Sequence, residues 1–211
     1  MASFAKACGR TAVKLCGLTS EADIEAANSL MPEYIGFVFW EKSKRRVTPE
    51  RAAELKRLLK KEIRAVGVFV DEAPEKVAEL LNRGIIDIAQ LHGSEDNAYI
   101  SALRKLTGAP IIKAFRITGS GDIAAAEASA ADFVMLDAGK GEGASFDWSL
   151  VAGMKRPYFL AGGLSPDNVG QAARLLRPYA ADVSSGIETD GKKDKEKMAA
   201  FVAAVRKEKA Q

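Results

Sequence analysis

Val13-Lys14-Leu15-Cys16-Gly17, followed after a short gap by Ser20-Glu21-Ala22-Asp23, sets the pattern on which this chain is built. The first segment is short and mostly apolar, which is typical of a β-strand. The second has the spacing of a capping box, with Asp where Glu or Gln is usual, and predicts the start of a helix. The opening of the chain therefore predicts one strand followed by one helix.

The same unit recurs along the chain. Eight short β-rich runs are mostly apolar on both faces, as in the strands of a buried parallel sheet. The predicted strands are Ala12–Cys16, Tyr34–Phe39, Val66–Val70, Ile85–Leu91, Ile111–Phe115, Phe133–Leu136, Tyr158–Ala161 and Ala180–Val183.

Amphipathic segments separate these runs and carry helix start and stop signals. Thr48-Pro49-Glu50 and Ser165-Pro166-Asp167 each place a capping hydroxyl before a proline that suits the first helical turn. Glu75–Leu81 is followed by a glycine stop at Gly84, and the last helix is predicted over Lys195–Lys207.

Eight strand–helix units in 211 residues, without a linker rich in Pro, Gly or Ser, predict an α/β fold. We expect a single closed (β/α)8 TIM barrel with eight parallel strands and outer helices. The alternative is a doubly wound open sheet, which usually needs fewer strands, and the first strand lacks a dinucleotide-binding fingerprint. We assign 11–207 to the barrel, 1–10 to an N-terminal extension and 208–211 to a C-terminal tail.

Composition excludes several classes of function. The net charge of +3 is too small to indicate nucleic-acid binding, and the basic clusters, such as Lys42–Arg46 and Lys192-Lys193, lie apart and without interleaved aromatic residues. We interpret most of these charges as solvated helix faces, with an anionic small molecule as the alternative for the first cluster. No apolar run has the length of a membrane span. Two near-neighbour cysteines, Cys8 and Cys16, and a poor signal-peptide pattern predict a cytoplasmic protein.

In a (β/α)8 barrel the active site lies at the carboxyl ends of the strands, so the fold selects candidate residues. The candidates are Cys16, Arg45, Asp71, His92, Arg116, Asp137, Gly162, Gly163, Ser184, Ser185 and Gly186.

Glycine-rich turns follow the last two predicted strands. Leu160–Pro166 contains Gly162-Gly163, and Asp182–Ile187 contains Ser184-Ser185-Gly186. Backbone N–H groups at such turns can approach a phosphate closely, and the loops after strands 7 and 8 are the usual phosphate site of this fold. Each turn alone would be explained as a tight turn, whereas the two together favour a phosphate ligand.

Cys16 and Asp137 end strands 1 and 6, which lie three steps apart around an eight-stranded ring. A thiol and a carboxyl on opposite sides of a ligand suit a reaction that removes one proton and delivers another. Cys16 could instead be a small buried hydrophobe, and its action as a base would require stabilisation of the thiolate, for example by helix N-termini. Asp137 could be an N-cap or a partner of Lys113 or Lys140.

Arg45 lies in the loop after strand 2, where a guanidinium could bind a carboxylate or phosphate through two hydrogen bonds. His92, the single histidine, ends strand 4 and could be a core residue, a donor to substrate or an orienting group. Cys16 and His92 could in principle form a nucleophile–base pair. No set of residues at metal-ligand spacing accompanies His92, and we predict no metal site.

The strand ends of this chain together resemble those of phosphoribosylanthranilate isomerases, enzymes of tryptophan biosynthesis that carry out an Amadori rearrangement. The resemblance extends from Lys14 to about Phe201. The segments that carry it are Lys14–Thr19, Gly36–Phe39, Ser43–Arg45, Val66–Val70, Gln90–Gly93, Leu136-Asp137, Phe146–Trp148, Ala161–Pro166, Asp182–Glu188 and Gly191–Asp194.

The resemblance implies a role for each matching position. Cys16 would be the general base, Asp137 the general acid, and Arg45 the ligand of the anthranilate carboxylate. The glycine pair and the Ser-Ser-Gly turn would hold the phosphate of a phosphorylated aminosugar, with His92 on the substrate side. No cofactor would be required, because the amine of the substrate acts as the electron sink, and the enzyme would be a monomer or homodimer.

One segment departs from the family pattern. The loop after strand 6 reads Gly139–Gly143 and includes Glu142, a carboxylate that would face an anionic ligand. Two other functions remain open from the residues. An isomerase of the histidine-pathway aminoaldose would use two aspartates, which Cys16 argues against. A non-catalytic phospho-ligand sensor or structural barrel subunit would not need the acid–base pair.

Overall fold

The computed structural model describes residues 10–137, 148–151 and 153–208. Its eight parallel strands form one closed barrel in chain order. They are β1 Ala12–Cys16, β2 Tyr34–Val38, β3 Arg64–Phe69, β4 Ile88–Leu91, β5 Ile111–Arg116, β6 Phe133–Asp137, β7 Tyr158–Ala161 and β8 Ala180–Val183. The predicted (β/α)8 barrel is confirmed, and the open doubly wound sheet is excluded.

Seven α-helices surround the barrel within the described ranges. They are α1 Glu21–Leu30, α2 Pro49–Leu58, α3 Pro74–Asn82, α4 Asn97–Leu106, α5 Ser120–Glu127, α6 Val169–Leu176 and α7 Lys195–Lys207. A 3₁₀ turn, Trp148–Leu150, precedes β7. Another 3₁₀ turn, Ser185–Ile187, leads from β8 into a short antiparallel hairpin of β9 Glu188–Thr189 and β10 Lys192–Lys193.

Two of the predicted helix starts form as expected. The Ser20 hydroxyl accepts a hydrogen bond from the Asp23 backbone N–H, and the Asp23 carboxylate accepts one from the Ser20 N–H, which completes the capping box before α1. The Thr48 hydroxyl caps α2 by accepting from the Arg51 N–H, with Pro49 in the first turn.

Two predicted boundaries were wrong by three residues, whereas the ends of β2, β3, β5 and β6 differ from the prediction by only one or two. β4 begins at Ile88 rather than Ile85, because the Ile85 N–H bonds to the Leu80 carbonyl and closes the turn after α3, where Gly84 has φ +69°. Helix α6 begins at Val169 rather than at the predicted Ser165–Asp167 segment, which instead forms a turn ahead of the helix.

The apolar residues form two separate cores. One fills the space between the barrel and its helices, and the other fills the barrel interior and includes Ala12, Ile88, Phe133 and Ala180. Since side chains alternate along a strand, residues two and four positions further along also face the interior. The residues at those later positions therefore form the end of the interior face, at the carboxyl rim of the barrel.

The residues at the two chain ends lie largely outside the described part. The predicted extension is described at Arg10 alone, and the predicted tail at Glu208 alone. The loop Gly139–Gly143, with Glu142, and the segment Phe146-Asp147 also lie outside the described residues. Among the described helices, none is long and apolar enough to cross a membrane.

Candidate active site

Cys16 is the last residue of β1 and faces the barrel interior, four positions beyond Ala12. It is a free cysteine, outside any disulfide, and its side chain is buried. Its neighbour in register on β2 is Gly36, where a Cβ atom would lie 2.6 Å from the Cys16 sulfur. The missing side chain of Gly36 therefore provides the space that the thiol occupies.

A buried ion pair lies beside the thiol. Lys14 is on the same face of β1 as Cys16, and its Nζ donates to Asp182 Oδ1 at 2.8 Å. The two residues are register partners where β1 and β8 close the ring. Burial alone would lower the pKa of Lys14, but the interactions with Asp182 and Cys16 outweigh the effect of burial. The pKa of Lys14 therefore lies above its ordinary value.

The ionisation of Cys16 reflects opposing effects. Burial raises the pKa of the thiol above its ordinary value, and the Asp182 carboxylate adds to that increase. The ammonium groups of Lys14 and Lys193 act in the opposite direction. Two lysine ammonium groups therefore favour the thiolate in the described structure.

Lys193 reaches this site from the hairpin after β8. Its Nζ donates to the Ser184 carbonyl at 2.9 Å and to Glu188 Oε1 at 2.7 Å. Its side chain is only 3% exposed, so the interpretation of the Lys192-Lys193 cluster as solvated was wrong for Lys193. Burial lowers the pKa of Lys193, although Glu188 and Cys16 oppose that decrease.

Arg45 lies against the end of β1 and is held by Glu188. Its Nε and Nη2 donate to the two carboxylate oxygens of Glu188 at 2.5 and 2.6 Å. This contact raises the pKa of Arg45. A Cβ at Gly17, whose φ is +80°, would lie 2.6 Å from Arg45 Cδ, so the arginine stem packs closely on that glycine.

Asp137 and His92 lie together on the other side of the barrel. Asp137 ends β6, His92 follows β4, and His92 Nε2 lies 3.1 Å from Asp137 Oδ2. Both side chains are partly exposed, at 24% for Asp137 and 34% for His92. His92 Nδ1 in turn lies 2.9 Å from the amide nitrogen of Gln90. The orienting role considered for His92 thus has a direct geometric basis.

The remaining rim candidates differ in their surroundings. Asp71, with φ +53°, accepts hydrogen bonds from the Ser94 N–H and hydroxyl, which hold the pKa of its carboxyl below the ordinary value. Arg116 is exposed and is the register partner of Asp137. Lys113 directs its ammonium to Glu95, to the carbonyl of Leu91 at the end of β4 and to the carbonyl of Gly93.

The two glycine turns meet at one side of the rim. Gly162 and Gly163 have φ of +91° and +65°, conformations that side chains disfavour. A Cβ at Gly186 would lie within 3.0 Å of the Leu164 carbonyl carbon, so the loop after β8 packs directly on the loop after β7. The structure brings together the two turns that the sequence assigned to phosphate.

The charged and polar groups thus form two clusters on one rim. The first cluster, at β1, β2 and β8, contains Cys16 with its lysines and Arg45; the second, at β4 and β6, contains His92 and Asp137. A thiol and a carboxyl on one rim are groups of the kind that a reaction with two proton transfers needs. Within the described residues no group of side chains could hold a metal ion.

Sequence reasoning assigned no role to five polar residues around the site. These are Lys14, Gln90, Asp182, Glu188 and Lys193. The usable signal was periodicity, because Lys14, Gln90 and Asp182 interrupt apolar strands two residues from the rim. Glu188 and Lys193 gave no such signal, because they lie outside the barrel strands. They meet only through the hairpin, whose turn at Asp190-Gly191 brings them together.

Comparisons with known proteins agree on one family. The family model described as N-(5'phosphoribosyl)anthranilate (PRA) isomerase matches residues 13–204. A curated N-(5'-phosphoribosyl)anthranilate isomerase of Thermoanaerobacter sp. (strain X514) is 44% identical over 204 residues, which cover 92% of this chain and 97% of that relative.

Solved structures give the same result. The phosphoribosyl anthranilate isomerase of Thermotoga maritima superposes with a TM-score of 0.85 at 33% identity, covering 94% of this chain and 100% of that one. A structure of such an isomerase in complex with reduced 1-(o-carboxyphenylamino)-1-deoxyribulose 5-phosphate superposes with a TM-score of 0.83 at 33% identity and the same coverage.

Proposed function

The chain belongs to the N-(5'-phosphoribosyl)anthranilate isomerase family, and we propose that it performs this step of tryptophan biosynthesis with Cys16 as general base and Asp137 as general acid. The reaction converts N-(5'-phosphoribosyl)anthranilate to 1-(2-carboxyphenylamino)-1-deoxyribulose 5-phosphate. The observation that carries the proposed roles is the placement of the thiol and the carboxyl at the interior-facing ends of β1 and β6.

The first step opens the ribose ring. Asp137 delivers its proton to the ring oxygen as the bond from that oxygen to the first sugar carbon breaks, and the nitrogen lone pair forms a Schiff base. His92 supports this step, since a hydrogen bond to Asp137 Oδ2 stabilises the carboxylate that remains.

The second step moves a proton from carbon. The Cys16 thiolate removes the proton of the second sugar carbon, and the electron pair flows toward the iminium nitrogen to give an enolamine, which becomes the ketone. Lys14 and Lys193 favour the thiolate at this point. The substrate amine is the electron sink, so these steps need no cofactor.

Arg45 is the proposed ligand of the anthranilate carboxylate. Glu188 occupies the edge formed by its Nε and Nη2, and the guanidinium has further N–H groups on Nη1 and Nη2. Glu188 thereby fixes the plane of the guanidinium without using all of its donors. The planar carboxylate of the substrate can accept hydrogen bonds from these remaining N–H groups.

The two glycine turns are the proposed phosphate site. Gly162, Gly163 and Ser184-Ser185-Gly186 belong to loops that pack on each other at the ends of β7 and β8. Backbone N–H groups of such turns can bind phosphate oxygens without a positively charged side chain. Inorganic phosphate should therefore inhibit competitively with substrate.

The experiment that tests the roles is the loss of anthranilate fluorescence during turnover. We expect Cys16→Ser and Asp137→Asn each to lower kcat by about 10²- to 10⁴-fold with the fold intact, as seen by circular dichroism. Arg45→Met should instead raise KM. Wild-type kcat in either of the first two variants would remove that residue from the mechanism.

The assembly and compartment are proposed as well. All groups named above come from a single chain, which supports a site that is complete in a monomer or in each half of a homodimer. A free thiol at the centre of the site suits the reducing cytoplasm. Sedimentation equilibrium measures the assembly, and activity per chain that rises with protein concentration would contradict a site complete in one chain.

A further inference from the structure

Gln90 lies inside the barrel, behind the His92–Asp137 contact. It is 1% exposed on β4, and its amide nitrogen lies 2.9 Å from His92 Nδ1 and 3.3 Å from the sulfur of Met135 on β6. Its Oε1 is buried and has no hydrogen-bond partner within the described part of the chain. A buried amide of this kind needs an explanation beyond packing.

The amide orientation follows from its surroundings. With the nitrogen toward His92, its two hydrogens can point to Nδ1 and to the Met135 sulfur, and one carbonyl oxygen stays unpaired. Reversing the amide would place an oxygen against the thioether sulfur and bury N–H groups where the described structure has no acceptor. Buried N–H groups without partners are rarer than buried carbonyls without them, so the first orientation is favoured.

That orientation determines where His92 carries its proton. A nitrogen that accepts a hydrogen bond has no proton of its own, so Nδ1 is unprotonated and the proton of the neutral ring is on Nε2. Nε2–H then donates to Asp137 Oδ2, 3.1 Å away. The donors run in one direction, from Gln90 through His92 to Asp137.

We propose that Gln90 is a positioning residue that holds His92 as the neutral Nε2–H tautomer and thereby keeps the acidic proton of Asp137 on Oδ1. This proposal rests on the proposed role of Asp137 as general acid. Because Oδ2 accepts from His92, the transferable proton resides on the other oxygen. An imidazolium at this position would instead pair with the Asp137 carboxylate and hold it in its deprotonated form.

Other charged groups near His92 leave this arrangement in place. Lys113 donates to Gly93 O at 2.7 Å and to Glu95 Oε2 at 3.1 Å, and it faces the helix side of β5. Asp71 binds the backbone and hydroxyl of Ser94. The ring nitrogens of His92 thus contact Gln90 on one side and Asp137 on the other.

The chain contains a single histidine, so its ring can be observed without ambiguity. The experiment uses untagged full-length enzyme labelled with 15N-histidine, and NMR at neutral pH reports which ring nitrogen is protonated. We expect Nε2 protonated and Nδ1 unprotonated in the wild type. Protonation of Nδ1, or an imidazolium, in the wild type would overturn the proposal without any variant.

Three variants complete the test. Gln90→Met, similar in size, should give mixed tautomers or an imidazolium and lower kcat about tenfold with KM within twofold. Gln90→Glu, which can only accept from the ring when ionised, should move the proton to Nδ1. Met135→Leu, the matched control, should leave the tautomer unchanged.

The outcomes separate this proposal from the proposed function. An unchanged nitrogen spectrum or an unchanged kcat in Gln90→Met would overturn the role of Gln90. An altered tautomer in Met135→Leu would assign the effect to the packing of the sulfur instead. If Asp137→Asn kept full activity, the acid assignment would fail, whereas the spectra of the Gln90 variants would still report the tautomer.

Discussion

The ammonium of Lys14 lies 2.8 Å from Asp182 Oδ1, inside the barrel and two residues before the catalytic thiol proposed at Cys16. This pair joins the first and last strands of the ring. It also supplies the cation that most strongly opposes the effect of burial on the thiol. The same contact therefore contributes both to ring closure and to the chemistry at the rim.

Lys14→Met should destabilise the protein and impair the base. Asp182 would remain buried without its cation, which costs about 3–5 kcal/mol in the free energy of unfolding. The pKa of Cys16 would rise further, so the increase of kcat with pH should move to higher pH. Urea unfolding and a pH–rate profile measure the two effects.

The double variant Lys14→Met/Asp182→Leu separates the two effects of Lys14. Removing both charges should restore most of the stability, since a buried pair can be replaced by apolar residues at little cost. Activity should stay low because the cation is still missing. Full kcat in the double variant would show that Lys14 acts through stability alone.

Stability at alkaline pH should depend on Cys16. Burial raises the pKa of this thiol in the folded state, so its stabilising contribution is fully present below the unfolded pKa of about 8.5 and is lost as pH rises through the folded pKa. The free energy of unfolding of the wild type should thus fall more steeply above about pH 8.5 than that of Cys16→Ser. Cys8 is present in both proteins and cancels. Parallel curves from urea unfolding would contradict this prediction.

Glu188→Gln should weaken substrate binding more than turnover. Arg45 would lose the carboxylate that fixes its guanidinium plane, and hydrogen bonds to charged groups contribute about 1.5–3 kcal/mol. We expect KM to rise about tenfold or more, with kcat within threefold. Asp190→Asn removes one charge from the same hairpin, in its turn, and is the control. An equal rise in KM in both variants would point to the hairpin's charge rather than to Arg45.

Gly36→Ala should displace the thiol. The added Cβ would lie 2.6 Å from the Cys16 sulfur, too close for both to keep their positions. Overpacking of this kind costs about 1–3 kcal/mol, and a misplaced base should lower kcat by about 10². Gly108→Ala, where a Cβ meets nothing within 4 Å, is the matched control. Steady-state kinetics that are alike for both variants would show that the space beside Cys16 has no role.

The fold was predictable because its signals are local and repeated. An apolar strand followed by a capped helix recurs along the chain, and Ser20 and Thr48 form the caps expected of them. The errors fall where tertiary contacts decide between neighbouring local structures. Ile85 is apolar and β-branched, yet its N–H closes the turn after α3 and so cannot extend β4.

The candidate site was predictable to the extent that rim positions follow from strand ends. Cys16, His92 and Asp137 all end or directly follow a strand whose interior face they continue. Glu188 could not be found this way, because its contact with Arg45 joins residues 143 positions apart through a hairpin. Lys193 appeared solvated from its charged neighbours, whereas the fold of that hairpin buries it.

Closure of the ring between β1 and β8 has a consequence for biosynthesis of the chain. Cys16 leaves the ribosome long before Asp182, Glu188 and Lys193, the residues that surround it in the folded protein. A nascent chain that stops before β8 lacks one of the two hydrogen-bonding neighbours of β1 and also the counter-ion of Lys14. Catalytic competence is therefore acquired only after β8 and the hairpin that follows it have left the exit tunnel.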